Sequence, residues 1–259
     1  MTRLSLYPTL TSFLVALLPC LLAAAEEGPA AIDLSGTWAE RQIHSEIDTL
    51  PIVGRVTSTS TTFLRVTIEQ KGTSLLLRET YCSAKVDTRT AIASTVIPPA
   101  FLLSLGEIKR PASLDLSGPT IQFVSPWFTE VRGARLADPE NDPLPTRPDD
   151  PRVFDQDGDG KPGLTVRLRV LGIVSGEAYV VQRVRYRMRG TVVTPDRIEG
   201  RIEWKNEQIT IGATSTLFEA NTSGEPNPDP EKSTFVFQRI DPAVGCAEIA
   251  EGWNSTLGR

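Results

Sequence analysis

Period-two alternation governs this chain. Leu64, Val66 and Ile68 stand against Arg65, Thr67 and Glu69, and Val166, Leu168 and Val170 stand against Arg167 and Arg169. Val184, Tyr186 and Met188 alternate with Arg183, Arg185, Arg187 and Arg189. After Thr194-Pro195-Asp196 the chain returns through Ile198, Ile202 and Trp204, set against Arg197, Glu199, Arg201, Glu203 and Lys205. Leu75–Tyr81, Thr120–Val124, Gln208–Phe218 and Phe235–Ile240 read as further strands, and Lys71-Gly72 as a hairpin turn. No stretch carries a long helical period. One apolar and one polar face per strand specify antiparallel sheets wetted on one side. The expectation is an all-β fold: an antiparallel up-and-down barrel or curved meander of about eight to ten strands.

Asp138 to Gly163 interrupts the pattern with six prolines and seven aspartates, so it cannot be a central strand. It reads as a long Pro/Asp-rich connection held by something other than apolar burial, or as disorder. The arginines at 183, 185, 187 and 189 read as a solvated outer face opposed by Glu199 and Glu203, or alternatively as a basic strip. The formal charge of −5 argues against a polyanionic partner, so no nucleic acid is expected.

The beginning of the chain reads as an export signal. Arg3 precedes an apolar run from Phe13 to Leu22, and Ala23-Ala24-Ala25 supplies a cleavage site. The run is short of the roughly 20 residues that span a bilayer, although an uncleaved anchor is the alternative. Residues 1–25 are thus expected to be a signal peptide and 26–259 a single all-β domain, secreted or periplasmic, without a later membrane span. Pro19 before Cys20 is a poor match to a lipidation site, so no lipid anchor at Cys20 is expected. Removing Cys20 leaves Cys82 and Cys246, which in an oxidising compartment read as a disulfide; two buried free thiols are the alternative.

Asp155-Gln156-Asp157-Gly158-Asp159-Gly160-Lys161-Pro162-Gly163 is the most specific stretch for chemistry. Aspartates at alternate positions aim three carboxylates at one point while the glycines allow the sharp turn. Asp155, Asp157, Asp159 and the carbonyl of Lys161 offer the hard oxygens that Ca²⁺ prefers. The alternative is a run of Asp-Gly turns without an ion. The stretch resembles the first half of an EF-hand loop, departing at Pro162 and at Val166, where the EF-hand places a bidentate Glu. The form is similar to the stand-alone calcium loops of thrombospondin type 3 repeats and dockerins. That resemblance implies structural calcium, with Asp149 and Asp150 as candidate extra ligands.

Asp33-Leu34-Ser35-Gly36-Thr37-Trp38, followed by antiparallel strands and a late cysteine, resembles the lipocalins and their calycin relatives. The resemblance implies an eight-stranded barrel with Trp38 packed across its bottom and Cys82–Cys246 tying the C-terminal segment to the wall.

A single histidine, His44, does not make a convincing Ser-His-Asp triad, and no nucleophile elbow, P-loop or dinucleotide fingerprint occurs. No catalytic residue is assigned. The functional expectation is an exported binding protein stabilised by calcium, holding a small apolar ligand or a cell-surface partner. The alternatives are a structural or surface-associated module without a small ligand, and an extracellular hydrolase using carboxylates.

Overall fold

The computed structural model describes residues 32–50, 54–88, 93–170, 173–219 and 224–253. The segment expected to be a signal peptide, including Cys20, lies outside the described residues. Twelve strands follow in chain order: β1 (Gly36–Leu50), β2 (Gly54–Lys71), β3 (Ser74–Asp87), β4 (Ala93–Val96), β5 (Glu107–Asp115), β6 (Gln122–Val124), β7 (Phe128–Arg132), β8 (Leu164–Val170), β9 (Val174–Thr194), β10 (Arg197–Ala213), β11 (Glu225–Pro226) and β12 (Thr234–Arg239). Two short helices, α1 (Pro99–Ser104) and α2 (Cys246–Gly252), complete the elements that matter here.

Eight of these strands close into a ring in the order β1-β2-β3-β5-β6-β9-β10-β12, every neighbour antiparallel and next along the chain once the remaining strands are set aside. The expected all-β, up-and-down arrangement is therefore present. The ring is not a regular barrel. β6 contributes only three pairs to β5 and to β9, and β7 and then β8 continue along the same edge of β9. β4 adds to the outer edge of β8, with α1 packing Phe101 against Leu164, Val166, Ala178 and Val180.

Alternation explains the walls. Trp38, Leu64, Val66, Leu77, Phe123, Met188, Ile198 and Phe237 all point inward and have no exposure. Gly190 and Gly200 face each other across β9 and β10 because the ring of Phe235 lies over both; a Cβ on Gly200 would fall 2.2 Å from the Arg189 carbonyl oxygen. Between β2 and β3 the register shifts so that Leu64 pairs Tyr81 while Phe63 pairs Ser83. Cys82 is the extra residue of this bulge, and it forms the disulfide with Cys246 at the start of α2. Behind that bond Ile249 and Trp253 pack on Ala39, Val236 and Phe63, outside the ring.

Some sequence expectations shift. The strand foreseen over Gln208–Phe218 is the continuation of β10 and stops at Ala213, and Thr216–Phe218 is a short 3-10 turn. The arginines of β9 are not a plain solvated face. Arg187 does pair Glu203, at 2.6 Å. Arg183, however, is buried: its two terminal nitrogens donate to the carbonyl oxygens of Glu140 and Asp142 at 2.7 and 2.6 Å. Arg185 donates to the Glu140 carbonyl as well. The Pro/Asp-rich connection is thus laid over the arginine ladder, which satisfies carbonyls that proline-rich backbone cannot pair in a sheet.

Candidate functional site

The aspartate loop sits where that connection enters β8. Phe154 and Gln156 bond Gly163 from both sides, and Gly158, Gly160 and Gly163 take positive φ, closing a tight turn. The carboxylate of Asp155 accepts from the amides of Gly158, Asp159 and Gly160 at 2.8–3.2 Å. Asp159 accepts from the Lys161 amide and the Thr165 hydroxyl, and Asp157 from the Thr165 amide at 3.0 Å. One oxygen from each of Asp155, Asp157 and Asp159 comes within 4.8 Å of the others, a cluster that could hold a metal ion. Oδ1 of Asp157 is buried with no hydrogen-bond partner among the described residues. Burial pushes the Asp157 carboxyl up, and the nearby carboxylates of Asp159 and Asp155 push the same way, against the amide of Thr165. An orphaned oxygen in a repelling set of hard donors fits a divalent cation.

Asp149 and Asp150 do not complete this set. Asp149 is taken by Arg147 and Asp150 by Arg152, which together with the Arg152 amide holds the Asp150 carboxyl down at about 2.

A second concentration of charge lies inside the ring, and the sequence reading passed over it. Glu40 on β1, Glu79 on β3 and Arg110 on β5 all lack exposure. Arg110 donates to Glu79, its Nη2 stands 3.9 Å from Glu40 Oε2, and its guanidinium lies 5.0 Å from the centre of the Tyr186 ring. Further along, Arg132 grips Glu130 and donates to the Tyr81 hydroxyl at 3.0 Å. His44 stands edge-on to Trp204, and desolvation, then the charges of Arg132 and Arg110, lower its pKa to about 4. Towards the β1–β2 turn, Ser58 Oγ lies 3.0 Å from Glu46 and 2.5 Å from Asp48. The signal for this layer was present in the alternation. Glu79 is in phase with Leu75 and Leu77, and Arg110 with Ile108 and Ala112, so a charge in an apolar register marked each.

The disulfide is compatible with a secreted protein, and among the described residues no helix is long and apolar enough to cross a membrane. No family model, no curated protein and no solved structure matches this chain.

Proposed function

We propose that this is an exported binding protein stabilised by Ca²⁺ held between Asp155, Asp157 and Asp159 at the entry to β8, with the Lys161 carbonyl as a fourth ligand. The observation that carries the reading is the convergence of the three carboxylates around an unpartnered Asp157 oxygen, one turn ahead of β8. Calcium takes six to eight oxygens, so water completes the shell and affinity falls in the range of extracellular modules, about 10⁻⁴–10⁻³ M. Its role is structural: it neutralises the loop and fixes the point at which the connection becomes a strand. A lipocalin-like origin is supported by the eight-strand ring, by Trp38 buried near one end and by α2 tied to the wall through Cys82–Cys246.

The test is thermal melting with Ca²⁺ against chelator, for wild type and Asp157→Ala. Calcium at a hundred times its dissociation constant stabilises by about 2.7 kcal/mol, a rise of about 5–10 °C for a chain of this size. A wild type that melts identically in both conditions overturns the calcium reading.

A structural or surface-associated module without a small ligand is the second reading. It is favoured by the ring's inner layer of Trp38, Phe123, Met188 and Phe237, which the chain fills with its own side chains. An apolar fluorescent probe separates the two. Saturable binding supports a receptor, and no response supports the module.

A further inference from the structure

Two carboxylates share one guanidinium inside the ring, and none of the three side chains reaches water. Arg110 Nη2 donates to Glu79 and stands 3.9 Å from Glu40 without a direct bond to it, while Arg110 Nε and Nη1 have no hydrogen-bond partner among the described residues. Glu40 Oε1 accepts from Gln42 at 2.7 Å, while its Oε2 has no hydrogen-bond partner among the described residues, and neither does Oε2 of Glu79. A fully ionised triad would therefore carry an uncompensated negative charge in a medium of low dielectric. Groups in that position take up a proton rather than remain charged.

We propose that Glu40, Glu79 and Arg110 form a pH-sensitive clamp that retains one proton, carried on Glu40, through neutral pH and weakens the β1–β2–β3–β5 wall when alkali removes it.

Among the described residues the surroundings supply no second cation that would make the proton unnecessary. Glu40 faces Trp38 and Gln42 along β1, Leu64 across β2 and Phe237 across β12. From β3 and β5 it meets Glu79 and Arg110, and the Tyr186 ring covers the guanidinium from β9. The next cation, Arg132 on β7, is already bound by Glu130 and Tyr81, and His44 is held neutral by its desolvation. In agreement, burial first and then the Glu79 charge push the Glu40 carboxyl up to about 8, outweighing Arg110 and Gln42. Glu79 is likewise raised by burial despite its bond to Arg110.

The sign follows. A carboxyl whose folded pKa is raised adds stability that is complete below its unfolded value near 4.5 and is lost as pH rises through about 8. The variant Glu40→Gln keeps the size and the Gln42 contact but holds no titrating group. Folding stability of wild type and Glu40→Gln, measured by denaturant unfolding from pH 5 to pH 9, gives the test. The wild-type folding constant is expected to fall relative to the variant by about tenfold per pH unit from pH 5 to about pH 8, and to level off between pH 8 and pH 9. Infrared difference spectra at pH 7 should show, beside the contribution of Glu46, a protonated carboxyl component in wild type that is lost in Glu40→Gln. Should the variant not fold, the band of Glu46→Gln, which removes the other carboxyl raised to near neutral pH, decides through its loss on titration to pH 9. Parallel stability profiles, or no protonated carboxyl at pH 7, overturn the proposal.

Discussion

Arg239 lies over the indole of Trp38, its guanidinium carbon 4.4 Å from the ring centre. The same guanidinium donates to the carbonyl oxygens of Asp33, Ser35 and Pro195 and to the carboxylate of Asp196, at 2.7–3.1 Å. One side chain of β12 thereby joins the chain segment before β1, the buried tryptophan and the β9–β10 turn. It also explains the backbone at Gly36, where φ is +132° and a Cβ would stand 2.9 Å from the Arg239 nitrogen. Arg239→Met keeps the aliphatic stem but loses charged hydrogen bonds at about 1.5–3 kcal/mol each when fully paired. Because Arg239 is partly exposed, the expected loss is about 2–4 kcal/mol in denaturant unfolding. Arg239→Lys should recover little of it, since three donors on one nitrogen cannot span the four acceptors that the planar fork reaches, nor stack as a plane.

Asp157 should act with opposite signs in the two states of its loop. In chelator, Asp157→Asn relieves a carboxylate crowded by Asp155 and Asp159, and melting should rise slightly, by less than about 1 kcal/mol given solvent screening. With saturating Ca²⁺ the same substitution should lower it, because a ligand charge is lost. The pH dependence in chelator follows from the raised Asp157 carboxyl. The stability it contributes is present below its ordinary value of 3.8 and is lost as pH rises through the folded value. Acidification should therefore help ion-free wild type more than Asp157→Asn.

His44 gives the reverse slope. Its folded pKa of about 4 lies below the ordinary 6.5, so the unfolded chain binds the proton first. The stability of the neutral imidazole is complete above pH 6.5 and is lost as pH falls towards 4, by at most about 1.4 kcal/mol per pH unit. Glu46, pushed up to about 7 by burial and by Asp48, titrates in the same window with the opposite sign. The informative quantity is therefore the difference between wild type and His44→Phe, which keeps a ring against Trp204. That difference should grow on acidification, as read from urea midpoints at pH 7, 6 and 5.

Much of this was legible in the sequence because alternation is a local signal. β2, β3, β8, β9, β10 and β12 all announce themselves by it, and the aspartate loop by its spacing. What stayed hidden is non-local. β1 puts Glu40, Gln42 and His44 in phase with Trp38, so its inward face reads as polar until Arg110 arrives from 70 residues further on. α1 is a single turn and a half after Pro98, too short for a helical period to show. The fate of the arginine ladder depends on which segment lies over it, and nothing local to β9 says that the connection does.

The Cys82–Cys246 bond closes a loop of 164 residues and anchors α2 through the bulge in β3. In the chain-entropy account such a loop contributes about 4–5 kcal/mol, and native bridges typically contribute about 2–5. The double variant Cys82→Ala, Cys246→Ala should lose stability in that range. α2 should undock first, because the cluster of Ile249, Trp253 and Ala39 is small and lies outside the ring. The near-ultraviolet dichroism of Trp253 should fall before the far-ultraviolet β signal on heating.

Arg183 is the residue on which the Pro/Asp-rich connection most depends. Its guanidinium is buried, bonds two carbonyls of the connection and stands 3.2 Å from Glu207 on β10. Arg183→Met fills the space with a flexible apolar chain, leaves the Asp142 carbonyl to find water and leaves the Glu140 carbonyl with Arg185 alone. The ring should persist, since Arg183 contributes nothing to its inner layer, at a cost of about 2–4 kcal/mol. The connection should loosen. Limited trypsin digestion reads this at the Arg152–Val153 bond, where Arg152 is engaged by Asp150 and by the Pro143 carbonyl. Cleavage there should be slow in wild type with Ca²⁺ and several-fold faster in Arg183→Met. Arg185→Met should change it less, because Arg185 reaches only the Glu140 carbonyl, which Arg183 also holds. Equal cleavage rates in wild type and Arg183→Met would show that the aspartate loop alone fixes the connection.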